Sequence, residues 1–109
     1  MIEVFNINKS ESGKYLYKDI ESVLYDAFNH GKRLCKLYNC NAEILECTGA
    51  LVLVSYGTPI AVYTDDGSFY DCLRVVYGYT ATNAQHISKF GKWLAENNYP
   101  VQYSVRFKN

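Results

Sequence analysis

Between Arg33 and Tyr79 the chain is a series of short apolar segments parted by turn-forming residues, and this punctuation limits the fold more than any other feature. Arg33–Tyr38 and Glu43–Cys47 flank Asn39-Cys40-Asn41, a turn-prone triplet. Leu51–Tyr56 is apolar on both faces, which suits a central strand covered on both sides. Gly57-Thr58-Pro59 is expected to interrupt it, because proline cannot donate to a ladder and holds Thr58 extended. Ile60–Thr64 and Ser68–Leu73 flank Asp65-Asp66-Gly67, a hairpin turn with glycine where positive φ is tolerated. Val75–Tyr79 reads as a continuation of the sheet.

Helical periodicity brackets this run. Leu16, Ile20, Val23, Leu24, Ala27 and Phe28 recur at the spacing of one apolar helix face over roughly 16–30, and Gly31 is placed for a left-handed cap. Thr82-Asn83-Ala84-Gln85 fits a capping box, after which Ile87, Phe90 and Leu94 form a buried stripe that ends at Asn97-Asn98 and Pro100. Val101, Tyr103, Val105 and Phe107 then alternate with Gln102, Ser104, Arg106 and Lys108, an amphipathic strand. The expected fold is α+β in a single domain, 1–109: a mostly antiparallel sheet of about five to six strands with two helices packed on one face. If the last strand lies at an edge, its open hydrogen-bonding groups admit either a monomer or a homodimer.

Hydrophobic content is 49 % and charge is balanced at 11 basic and 11 acidic residues, which argues against disorder and against a general polyanion binder. The start of the sequence has no basic, apolar leader pattern, and no apolar run approaches the roughly 20 residues that span a bilayer. A cytoplasmic protein without membrane contact is expected. Cys35, Cys40, Cys47 and Cys72 then read as free core thiols, since Cys35-x₄-Cys40 lacks a second closely spaced ligand pair; neither metal nor cofactor is expected.

The neutral total hides polarity. Residues 1–71 carry an excess of four acidic side chains, while residues 72–109 hold Arg74, Lys89, Lys92, Arg106 and Lys108 against Glu96 alone. His86 borders the apolar stripe of the second helix beside Lys89 and Trp93, so these residues with Lys92, Arg106 and Lys108 are the candidate partner-binding set. A border histidine is also ordinary amphipathic packing, and His30 needs no role beyond a helix C-terminus. Catalysis finds little support. Cys72, His86 and Asp71 can be assembled on paper, but their spacing does not require it. Asp65 and Asp66 do not read as an acid–base pair, and the glycines form no phosphate loop. Single-stranded nucleic-acid binding is the alternative: Tyr77 and Tyr79 on one strand face near Arg74, and Tyr99 and Tyr103 near Arg106, supply aromatic and basic groups. The same tyrosines also suit sheet packing.

Ser55-Tyr56-Gly57-Thr58-Pro59-Ile60-Ala61, and later Tyr79-Thr80-Ala81-Thr82-Asn83-Ala84-Gln85-His86, resemble a group of small phage and mobile-element proteins of unknown function. Their pattern is S-Y-x-T-x-V-A, a short hairpin, then Y-S-x-T-T-S-x-H at a helix start. Ser55, Tyr56, Thr58 and Ala61 match the first part; Tyr79, Thr82 and His86 match the second, while Thr80, Asn83 and Ala84 depart from it. The likeness covers about residues 51–90 and implies origin more than mechanism. Such an origin suggests a non-enzymatic accessory protein that binds and inhibits a host protein, such as a defence nuclease complex in the manner of an anti-CRISPR.

Overall fold

The computed structural model describes residues 3–6, 17–47, 49–78 and 80–108. In chain order these form β1 (Glu3–Asn6), α1 (Tyr17–His30), β2 (Lys32–Lys36), β3 (Ala42–Cys47), β4 (Ala50–Ser55), β5 (Thr58–Thr64), β6 (Ser68–Asp71), α2 (Leu73–Val76), α3 (Ala81–Glu96) and β7 (Tyr103–Lys108). One seven-stranded sheet runs β1-β7-β6-β5-β4-β3-β2. Connections within β2–β6 are too short for a crossover, so each strand pairs antiparallel with the next. Among the described residues only β6 and β7, separated by α2 and α3, pair in parallel. The class is therefore α+β with a mostly antiparallel sheet, as expected.

The helices do not share one face. Along β4, Ala50, Val52 and Val54 pack with Ile20, Leu24 and Ala27 of α1, whereas Leu51 and Leu53 pack with Phe90 and Leu94 of α3. The two clusters lie on opposite sides of the sheet because successive strand residues point to opposite faces. Connectivity also places α1. It leads from β1 at one edge to β2 at the other, and its 14 residues rise about 21 Å, roughly four strand spacings. Every residue of β4 is buried as a consequence.

Several local expectations change. Of the expected strand Val75–Tyr79, Val75–Gly78 is not strand and Tyr79 lies outside the described residues: Leu73–Val76 form the single turn α2, initiated where the Asp71 carboxylate accepts the Leu73 N–H at 3.0 Å. The cap of α3 is Thr80, two residues ahead of Thr82, because its hydroxyl accepts the Asn83 N–H at 3.1 Å. Gly31 does not adopt the left-handed region. It donates to the Ala27 carbonyl at 2.7 Å, and a Cβ there would lie 2.4 Å from that oxygen, so glycine serves a close approach. Pro59 lies inside β5 rather than interrupting the sheet. The ladder passes from Leu53↔Ala61 to Val54↔Pro59, leaving Ile60 as an extra residue in a bulge where a missing N–H is tolerated. Finally, β7 is interior, since β1 and β6 flank it. The open edge at the opposite side is β2, whose Lys32, Arg33 and Lys36 discourage pairing with another copy.

Candidate functional site: a buried hydrogen-bond relay beneath two tyrosine turns

Helix α3 meets β4 through polar groups as well as apolar ones. Asn83, His86, Phe90 and Leu94 are its buried residues, and the first two face Ser55, the last residue of β4. Ser55, Asn83 and His86 are 0 %, 2 % and 3 % exposed, so each polar atom needs a partner. The Thr80 hydroxyl meets the Asn83 side-chain oxygen and so donates to it. That orients the amide, whose Nδ2 donates to Ser55 Oγ at 2.7 Å. Ser55 Oγ lies 2.6 Å from His86 Nδ1, and a neutral ring protonated at Nε2 accepts the Ser55 proton there. A relay running Thr80→Asn83→Ser55→His86 is the one formed by the Nε2–H tautomer. Burial first, and the Lys89 ammonium second, hold the His86 pKa below its ordinary value, so the neutral ring that this relay requires is the favoured one.

The next residue along from Ser55 is exposed. Tyr56 and Gly57 form the two-residue β4–β5 turn with φ of 49° and 78°, and the Tyr56 ring stacks on His86 at 5.5 Å between centroids. Glycine takes that backbone freely, whereas a tyrosine pays about 1–2 kcal/mol for it. Tyr38, in the β2–β3 turn, also has a positive φ of 51°. The two turns adjoin, with the Tyr56 N–H donating to the Asn41 carbonyl at 2.9 Å. The Tyr38 hydroxyl donates to Glu96, and Lys92 Nζ lies 5.8 Å from the centre of its ring. Strain of this kind persists only where neighbours hold it, and α3 supplies both restraints. Tyr38 and Tyr56 remain 39 % and 53 % exposed.

A serine hydroxyl on a neutral imidazole is the pairing that acyl-transfer enzymes use. Here the hydroxyl is sealed under the Tyr56 turn, and among the described residues no carboxylate holds the second imidazole nitrogen. As it stands, the relay fastens α3 and the turn to the sheet. The paper assembly of Cys72 with His86 does not form: Cys72 belongs to the α1 side of the sheet, His86 to the α3 side.

The other candidates divide between two flanks of α3. Lys89 and Lys92 are exposed near the tyrosine turns. Trp93 is half-buried, stacked between Phe90 and Tyr99. Arg106 lies on the opposite flank, 3.5 Å from Asp71. Arg74 is on α2 and Tyr77 in the turn just beyond it, so Tyr77 lies on no strand face. Tyr99 packs on Trp93 and Tyr63. Tyr79 and the side chain of Lys108 lie outside the described residues.

Sequence reasoning singled out His86 but gave Ser55, Asn83, Tyr56 and Tyr38 no role. The available signal was the two-part motif, since Ser55-Tyr56 and Thr80…His86 come into contact across α3 and β4. The model of a family of unknown function, DUF8033, matches residues 27–104, a span that contains the whole relay and both turns. No curated protein and no solved structure matches the chain.

Proposed function

The chain belongs to DUF8033, and we propose that it is a non-enzymatic accessory protein of phage or mobile-element type that binds and inhibits a host protein through the two tyrosine turns and the adjoining face of α3. One observation carries this reading: Tyr38 and Tyr56 are both held in left-handed backbone while their rings stay exposed. A turn needs only glycine or asparagine there. Tyrosine at both positions costs folding energy without filling a core, which makes sense where rigid aromatic side chains anchor a partner. Lys89 and Lys92 beside them add positive charge that would steer an acidic surface into place.

The test uses glycine. Tyr38→Gly and Tyr56→Gly remove the rings yet accept the same backbone, so the fold survives. Wild-type protein should retain one host protein in stoichiometric amount, the double glycine variant should lose it, and Tyr25→Ala, an exposed tyrosine of α1, should keep it. Failure to retain any such protein, or equal retention by the double variant, overturns the reading. Labelled single-stranded DNA and RNA belong in the same experiment. A low-salt shift abolished by the glycine pair would assign the surface to nucleic acid instead.

A further inference from the structure

The sheet ends in β1 on one side and β2 on the other, and among the described residues no strand pairs with the outer side of β2. The Leu37 N–H donates to the Ala42 carbonyl at 2.9 Å, and the next pair along is Lys36↔Glu43. Hydrogen-bonded and non-hydrogen-bonded pairs alternate along an antiparallel ladder, so the Lys36 N–H and C=O point away from β3, out of the sheet edge. Such groups are a template for a further strand. Three of the five residues of β2 are cations, Lys32, Arg33 and Lys36, and all three are exposed. Their neighbours on the paired side show what they select. Lys32 lies opposite Glu46, Lys36 lies opposite Glu43, and Arg33 Nε is 3.1 Å from a Glu43 carboxylate oxygen. Two β2 edges laid side by side would set cation against cation, whereas an acidic strand there repeats the arrangement that β3 already makes. Leu34, the residue that the ladder passes over between Arg33 and Cys35, is exposed as well and offers an apolar contact on the same strand.

We propose that β2 takes an extended, acidic segment of a partner protein as an additional strand of the sheet, hydrogen-bonded at Lys36 and flanked by Lys32, Arg33 and Lys36. Main-chain hydrogen bonds supply the affinity of such a strand, and its carboxylates supply the selection. The inference names the partner's chemistry for the surface proposed above and rests on that reading in placing the strand in the same host protein. The two surfaces are continuous. Tyr38 lies two residues beyond Lys36, and Arg33 and Lys36 share a groove of about 330 Å³ with Tyr56 and Gly57. A strand laid along β2 therefore runs towards both tyrosine turns.

The probe is an acetylated, amidated heptapeptide of alternating glutamate and valine, titrated into the full chain and followed by amide NMR and hydrogen exchange. The control peptide has lysine for each glutamate. The expected result is a saturable shift along Lys32–Tyr38 with slowed exchange of the Lys36 N–H, from the glutamate peptide alone. Lys36→Pro removes the outward N–H without touching a β2–β3 hydrogen bond, a place where an edge strand tolerates proline, and should abolish the response. Lys36→Gln keeps that N–H and the fold, and should weaken binding by up to about fivefold, the scale of one cross-strand ion pair. No saturable response, an equal response to the lysine peptide, or one unchanged in both variants overturns the proposal. So does a concentration-dependent shift of the same amides without peptide, which would mean that β2 pairs with a second copy. Host-protein capture separates this inference from the reading it extends. Capture that survives Lys36→Pro but not the double glycine variant overturns the added strand alone; capture indifferent to the glycine pair but lost in Lys36→Pro overturns the tyrosine reading and leaves the strand standing.

Discussion

Removing one oxygen from the relay tests whether it fastens the fold. Ser55→Ala deletes a hydroxyl and changes little volume, but it leaves two buried groups without a partner: Asn83 Nδ2 and His86 Nδ1, on residues 2 % and 3 % exposed. Each orphaned buried polar group costs about 1–3 kcal/mol, so the variant should lose about 2–6 kcal/mol. That is a large share of the roughly 5–15 kcal/mol by which a domain is stable. For a chain of this size the melting temperature should fall by about 10–30 °C. Urea denaturation of wild type, Ser55→Ala, His86→Phe and the double variant gives the coupling directly. Because His86→Phe already removes one partner, the second substitution should cost clearly less than it does alone. Ser22→Ala, whose exposed hydroxyl bonds to the Lys18 carbonyl, should sit near zero. A loss below about 0.5 kcal/mol for Ser55→Ala, typical of an unremarkable surface change, would refute the relay as a fastening.

Other perturbations follow from the same structure. The His86 pKa is lowered in the fold, so acid protonates the unfolded chain first; stability should fall as pH drops below about 6.5 and level off below the folded value, a slope absent in His86→Gln. Gly31→Ala should cost about 1–3 kcal/mol by driving a Cβ against the Ala27 carbonyl, and Gly31→Asn should be no better. Gly57→Ala meets no atom but carries a φ of 78°, so it should cost about 1–2 kcal/mol and Gly57→Asn should recover much of it; chemical denaturation separates the two glycines. The Cys72 thiol is fully buried and its pKa pushed far up by burial, so a thiol reagent should leave it unmodified in the native protein and reach all four cysteines only in denaturant.

Much of the architecture was legible because it depends on local pattern. The strands of the meander, the Asp65-Asp66-Gly67 turn and the stripe of α3 follow from periodicity and turn chemistry, which act over a few residues. Even the two-sided cover was written in β4, where no position from Ala50 to Ser55 is polar except the last; an expectation of both helices on one face overlooked what such a strand demands. Ser55 itself marks the place where the strand required a polar partner, and the sequence could not say from where. That partner arrives 28 and 31 residues later, on a helix whose rotation about its own axis decides which side chains reach β4. The interior place of β7 has the same origin, since β1 joins it from more than 90 residues away. The charge halves, too, resolved only in space: Lys89 and Lys92 lie by the tyrosine turns, whereas Arg74 and Arg106 lie by Asp71. By itself the sequence determined most of the strands and both long helices, β1 and α2 excepted, and which of their faces are apolar. Packing alone decided which polar residues meet, because that depends on how separate elements settle against one another, a sum over distant contacts that no local pattern contains.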